Sequence, residues 1–114
     1  VVERVRYVGV NTPERDEPCY AEATAANAAL VDDQTITMVR DVSDRDRYGR
    51  LLRFIYVGDT FVNQELVVRG YAEAVLYRPD DAFHDQFVSL EQQAARASRG
   101  CHPTGIFNDN NTER

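Results

Sequence analysis

Arg6, Glu14 and Arg50 are the residues of this chain whose types and settings suit a reaction. Arg6 lies in a Val-rich stretch, Glu14 closes Asn11-Thr12-Pro13-Glu14, and Arg50 closes Asp46-Arg47-Tyr48-Gly49-Arg50. Guanidinium forks hold phosphate oxygens bidentately, and a nearby carboxylate takes a proton from a water or orients it. That combination suits attack on a phosphodiester. Arginine keeps its proton at ordinary pH, so its value is electrostatic. The same types also suit solvated ion pairs with Asp41, Asp44 or Asp46, which contribute little. Residue type alone leaves both readings open.

The elements around these residues follow from pattern. Val1 to Val10 alternates loosely and reads as a strand, with Arg6 and Val10 on one face. Pro13 ends it, because proline cannot donate to a ladder and forces Thr12 to be extended. Ala21 to Val31 is alanine-rich and reads as a helix, and Gln34 to Arg40 is β-branched enough for a strand. Arg50 to Val57 is the strongest strand, with Leu52, Phe54 and Tyr56 on one face and Arg53 and Ile55 on the other. Val62 to Arg69 reads as a helix ended by Gly70, and Ala82 to Arg99 as a helix with Phe83, Phe87, Leu90, Ala94 and Ala97 on its apolar face. The tail after Pro103, with Asn108, Asp109, Asn110 and Asn111, is polar and expected to fray.

Composition bounds the function. The chain has 114 residues, 43% hydrophobic and 28% charged, which suits one packed domain and not a disordered tail. No apolar run approaches the ~20 residues a membrane span needs. All 13 basic residues are arginine and 11 of the 19 acids are aspartate, for a net charge of −6. Genomic base composition and a salt-adapted acidic surface both account for this bias. Either way the overall field repels a polyanion, which excludes a non-specific nucleic-acid coat protein.

Three segments in order change the reading: Arg6 with Val10-Asn11-Thr12-Pro13-Glu14, then Asp46 to Arg50, then Val62-Asn63-Gln64-Glu65-Leu66-Val67-Val68-Arg69-Gly70. Together they resemble the staphylococcal nuclease (thermonuclease) family, whose pattern is a strand carrying Arg, then Val-Asp-Thr-Pro-Glu, a helix, Asp-Lys-Tyr-Gly-Arg opening a strand, and Val-Asn-x-x-Leu-Val-x-x-Gly. The likeness continues through Tyr77-Arg78-Pro79 and the last helix, so residues 1–102 form the nuclease-like domain and 103–114 the tail. It implies an α+β, mainly β fold: a five-stranded OB-fold barrel with three helices. It also implies calcium-dependent hydrolysis of DNA and RNA phosphodiesters. By position, Arg6 and Arg50 take the phosphate contacts, Glu14 the attacking water, and Tyr77 a place near the bound nucleotide. Asn11 and the Thr12 carbonyl fall at two of the Ca²⁺ ligands. A local arginine–calcium pocket reconciles an acidic protein with a polyanionic substrate.

Departures from the family pattern carry their own expectations. Asn11 stands where the family has a metal-binding aspartate, so one charge is missing and affinity should fall. The family's early-strand aspartate has no counterpart, and the loop between Glu14 and the first helix is short. We expect the polypeptide to continue upstream into a β-hairpin with an Asp-Gly-Asp-like turn bearing the third ligand, and a fragment lacking it not to fold alone as a monomer. The expected location is secreted or cell-envelope and the expected state a monomer, with strand exchange open if those strands are absent. In the implied fold Cys19 precedes the first helix and Cys101 follows the last, leaving a disulfide and two free buried thiols both open. His84 and His102 are expected at the surface, and Tyr20, Phe54, Tyr56 and Phe61 in the core or on the barrel. A catalytically inactive module that binds nucleic acid or protein is the alternative, and retention of Arg6, Glu14 and Arg50 together favours the enzyme.

Overall fold

The computed structural model describes residues 2–107. Its strands are β1 (Val5–Tyr7), β2 (Val10–Asn11), β3 (Thr37–Val39), β4 (Leu51–Val57), β5 (Thr60–Phe61) and β6 (Glu73–Ala74). Its helices are α1 (Tyr20–Val31), α2 (Val62–Val68) and α3 (His84–Arg96). β1 runs parallel to β4, which pairs antiparallel with β3 and β5, and β2 pairs antiparallel with β6 in a second sheet. The molecule is therefore a small α+β domain with three helices and mixed sheets. The described strands do not close into a barrel.

The single strand expected over Val1 to Val10 is two short ones. Gly9, at φ +84°, turns the chain between them, so that β1 stays on β4 and β2 moves to β6. A Cβ at Gly9 would also sit 3.0 Å from the Phe87 ring, so glycine serves both the turn and the close approach of α3. This corner separates Arg6 from Asn11. The strand expected from Gln34 contracts to Thr37–Val39, where all three residues are exposed along a sheet edge.

β4 lies at the centre of its sheet, with buried residues on both of its faces. Leu52, Phe54 and Ile55 are all buried, with α2 packed on the strand and an aromatic cluster around Phe54. In that cluster Phe54 meets Phe83 edge-on at 4.9 Å and Phe61 stacks on Tyr56 at 4.6 Å. Asn63, on α2, fastens the helix to the sheet. Its amide oxygen accepts from the Ile55 amide at 2.8 Å, and its amide nitrogen donates to the Val8 carbonyl at 3.0 Å. It is fully buried, and both ends of its side chain are satisfied.

A second, smaller core forms where the chain's later part returns to α1. Cys19 and Cys101, 82 residues apart, form a disulfide, and Ala23 and Phe107 pack with them. Gly70, at φ +85°, passes so close to Arg99 that a Cβ would collide with its carbonyl, and the Cys101 amide donates to Gly70 at 2.9 Å. This contact delivers Cys101 to α1. Two expectations are corrected here. His102 is 5% exposed, because it packs against the Phe107 ring at 5.2 Å, and the segment 103–107 folds back instead of fraying. His84 is half-buried at the start of α3. The expected tail residues Asn108 to Asn111 lie outside the described residues. No helix among those described is long and apolar enough to cross a membrane.

Candidate active site

The turn after β2 and the loop before β4 meet the first two turns of α1 around one cavity of about 290 Å³. Arg6, Asn11, Thr12, Glu14 and Arg50 all line it. Five residues chosen from three separate places in the sequence thus share a single wall. Tyr77, the sixth, is not in that wall. It is half-buried against the main core.

Arg6 occupies the middle of β1, with Leu52 as its partner on β4. Its Nη1 donates to the Tyr7 and Val10 carbonyls, each at 2.6 Å, which bends the guanidinium over the β1–β2 corner toward the cavity. Burial lowers its pKa from the ordinary arginine value and the Arg50 charge adds to that, while Glu14, Tyr77 and Asp46 oppose. The group stays charged, since arginine starts so far above neutrality. Arg50 and Glu14 therefore lie within electrostatic reach of Arg6.

Arg50 is aimed by its own loop. Asp46 accepts the Arg50 Nε at 2.6 Å through Oδ2, and its Oδ1 accepts the Tyr48 and Arg50 amides at 2.9 Å each. Gly49, at φ +81°, permits the tight return, which the Asp46 amide closes by donating to the Arg50 carbonyl. Burial would raise the Asp46 carboxyl, but these hydrogen bonds and the Arg50 charge outweigh it and hold its pKa below the usual aspartate value. Asp46 is a positioning group, read in the sequence as part of the loop and as one possible ion-pair partner for an arginine. The signal available was its four-residue spacing from Arg50 around a glycine.

Glu14 is exposed at the cavity edge, with Pro13 buried beneath it. The Glu14 amide donates to Glu17 Oε1 at 2.7 Å and the Glu17 amide returns to the Glu14 carbonyl at 2.9 Å, so the turn is locked while the Glu14 carboxylate stays outside it. Asn11 is held by its neighbour strand: Nδ2 donates to Glu73 Oε2 at 3.5 Å across the β2–β6 pair, leaving the amide oxygen as its acceptor.

Sequence reasoning missed the helical wall. Thr24 and Asn27 stand three residues apart on α1 and both face the cavity, beside Tyr7. Burial pushes the Tyr7 phenol above its ordinary value, and a hydrogen bond with Asn27 partly offsets this. Two polar residues at helical spacing in an alanine-rich helix were the legible signal.

Residues 4–101 match the family described as staphylococcal nuclease homologue. The chain belongs to that family. It is 39% identical over 101 residues to the SPbeta prophage-derived endonuclease YokF of Bacillus subtilis, covering 82% of this chain and 34% of that protein. It is 37% identical over 105 residues to endonuclease YncB of the same organism, covering 85% of this chain and 49% of that protein. It is 31% identical over 103 residues to the thermonuclease of Staphylococcus intermedius, covering 85% of this chain and 60% of that protein. The chain therefore spans between about a third and three fifths of these relatives' length.

Proposed function

We propose that this domain is a calcium-dependent nuclease that hydrolyses phosphodiester bonds of DNA and RNA by water attack at phosphorus. The observation that carries the reading is the convergence of Arg6, Glu14 and Arg50 on one cavity wall in a member of the nuclease-homologue family. The endonuclease and thermonuclease names of the similar proteins support it. The parallel β1–β4 pair beside the antiparallel β4–β3 pair supports reading the sheets as part of an OB-type five-stranded barrel. The Cys19–Cys101 disulfide supports a secreted or envelope location, because disulfides persist in oxidising compartments.

Arg6 and Arg50 grip the phosphate from two sides and stabilise the charge that develops on its non-bridging oxygens. Glu14 orients a water and takes its proton as the new oxygen–phosphorus bond forms. The ester bond opposite the attack then breaks, and the departing oxygen is protonated from solvent, since neither arginine can donate a proton. Tyr77, outside the cavity wall, takes the place near the bound nucleotide that the family resemblance gives it.

Among the described residues no cluster of three or more His, Cys, Asp or Glu could hold a metal by itself. The donors on the cavity wall are the Asn11 amide oxygen, Thr12 and the Glu14 carboxylate, all hard oxygens of the kind calcium takes. They fit a weakly held calcium whose remaining ligands are waters or phosphate oxygens. When bound there, calcium supplies Lewis-acid stabilisation of phosphoryl charge.

The test is degradation of a labelled single-stranded oligonucleotide and of plasmid DNA by the purified chain, in Ca²⁺ and in EGTA. Cleavage in Ca²⁺ that EGTA abolishes and Glu14→Gln removes supports the reading. A folded protein that binds the oligonucleotide and leaves it intact in Ca²⁺ overturns it in favour of a binding module.

A further inference from the structure

One side chain separates the Cys19–Cys101 disulfide from the candidate active site. Ala23, on the first turn of α1, packs with the disulfide and also lines the active-site cavity. Four residues lie between Glu14 and Cys19, and the hydrogen bonds of this stretch run as a relay. The Glu17 amide donates to the Glu14 carbonyl at 2.9 Å, the Tyr20 amide to the Glu17 carbonyl at 3.4 Å, and the Ala23 amide to the Cys19 carbonyl at 3.0 Å. Cys19 stands at the start of α1 with φ +71°, in the left-handed region, and its side chain makes no capping hydrogen bond. A residue with a Cβ keeps that conformation where its surroundings impose it, and here the bond to Cys101 does so.

The other end of the bond is fastened to the main frame. Cys101 is fully buried, its amide donates to the Gly70 carbonyl at 2.9 Å, and a Cβ at Gly100 would lie 2.7 Å from that same carbonyl oxygen. The Tyr71 and Ala72 amides both donate to the Leu66 carbonyl, and Leu66 lines the active-site cavity from α2. The disulfide thus ties the turn carrying Glu14 to the frame behind the cavity. Arg6 and Arg50 are aimed from elsewhere, by the β1–β2 corner and by Asp46.

We propose that the Cys19–Cys101 bond is a positioning element for Glu14, so that the domain becomes a competent nuclease once this pair is oxidised. This rests on the nuclease reading for the role of Glu14. As the bond closes, the two thiols give up two electrons and two protons to a disulfide oxidant, which leaves as two thiols. Cys19 is 9% exposed and Cys101 0%, so the closed bond is shielded from thiol reductants. The dithiol form keeps its arginine grip on phosphate and holds the attacking water poorly, so it binds a strand and cuts it slowly. A polypeptide made in a reducing compartment is then armed on reaching an oxidising one.

The experiment compares three forms below all their melting transitions: the chain folded with oxidised glutathione, the chain folded and kept in dithiothreitol, and Cys19→Ser/Cys101→Ser. Cleavage of a labelled oligonucleotide in Ca²⁺ should show kcat about 10- to 100-fold lower in both thiol forms and the serine form, with KM within about two-fold. In a Glu14→Gln background, losing the bond should cost nothing further, whereas in Arg50→Lys it should cost the full factor. Val88→Ala, which loosens the main core on α3, should lower Tm and leave kcat as in wild type. Native-state hydrogen exchange reads the positioning without catalysis. Protection of the Glu17 amide should fall when the bond is absent, while the Ile55 amide, held by Asn63, keeps its protection and shows that the chain is folded. Where the serine pair does not fold, Cys19→Ala/Cys101→Val refills the small core and takes its place. Equal kcat in oxidised and dithiol forms overturns the proposal, as does an undiminished loss in the Glu14→Gln background. If no form cuts in Ca²⁺ the nuclease reading falls, and unchanged Glu17 exchange then overturns the positioning on its own.

Discussion

Asp46 holds Arg50 from both of its oxygens: Oδ2 receives the guanidinium Nε at 2.6 Å and Oδ1 receives the Arg50 backbone amide at 2.9 Å. One carboxylate, with its side chain 5% exposed, therefore fixes both the backbone turn and the side-chain direction. Binding Nε leaves the two terminal nitrogens of the fork directed at the cavity, which is the geometry bidentate phosphate recognition needs. Arg6 is restrained differently, by carbonyls that take one of its terminal nitrogens. The two cations thus approach a shared anion with different donor faces.

That difference predicts how each tolerates lysine. Arg6→Lys and Arg50→Lys keep a charge and lose the fork, so each should lower kcat/KM on an oligonucleotide by about 10²-fold or more. Arg50→Lys also loses the Nε contact to Asp46. If both hold one phosphate, the double variant should be less impaired than the product of the single effects. Simple multiplication in a double-mutant cycle would argue against a shared phosphate.

Glu14→Gln should reduce kcat by 10²-fold or more with almost no change in Tm. The carboxylate is exposed, and the hydrogen bonds that lock its turn come from its backbone and from Glu17, which the substitution leaves in place. Turnover within a few-fold of wild type would remove Glu14 from the chemistry.

Acid stability should report the buried aspartates. Burial would raise Asp80, but hydrogen bonds from the backbone and hydroxyl of Ser43 and from the Val42 amide hold it below the usual value. Asp46 is depressed in the same way. A carboxyl whose folded pKa lies below its unfolded value of about 3.9 contributes stability that is present above that pH and lost as pH falls through the folded pKa. Tm should therefore fall below about pH 4. Asp80→Asn keeps an oxygen acceptor for Val42 and Ser43 but removes the charge. It should lower Tm at pH 7 and flatten the acid limb, and an unchanged slope below pH 4 would show that Asp80 does not drive it.

The disulfide closes most of the chain into a loop. With Cys19 and Cys101 82 residues apart in the chain, chain entropy gives a stabilisation of about 4–5 kcal/mol. Cys19→Ser/Cys101→Ser should lower Tm by more than about 10 °C for a domain of this size. Thermal melts that coincide with wild type would mean that the packing of Ala23 and Phe107 holds this corner without the bond.

What the sequence revealed and what it concealed have physical reasons. Arg6, Glu14 and Arg50 were legible from the order and spacing of three motifs, since residue type alone left them open. The helices were legible from alanine content and from Gly70. The β1–β2 break was hidden because Val8 and Val10 continue an alternation that only Gly9 interrupts. Alternation put Ile55 on the face opposite Leu52 and Phe54, and both faces carry buried residues because β4 is central. His102 read as a surface residue because nothing local shows that Cys101 is pinned to α1 and that Phe107 closes over it. Asn27 and Thr24 were missed because their role depends on which face of α1 meets the β2 turn.

Asn11 offers the sharpest test of the metal reading, because Glu73 lies behind it. The Asn11 amide donates to Glu73 Oε2 at 3.5 Å, so Asn11→Asp replaces a donor with a second carboxyl against a residue that is only 3% exposed. Two carboxyl groups at this distance resist ionising together, and a divalent cation on the cavity side relieves that resistance. In EGTA the variant should therefore melt below wild type. In Ca²⁺ it should bind more tightly than the roughly 10⁻⁴–10⁻³ M expected of the native site and gain a larger Tm increase. Asn11→Ser, which has neither the amide nor the charge, separates the two effects: it should lose the Glu73 contact without gaining calcium affinity. Calorimetry showing equal or weaker calcium binding in Asn11→Asp would place Asn11 outside the coordination sphere and leave its amide as a brace between β2 and β6.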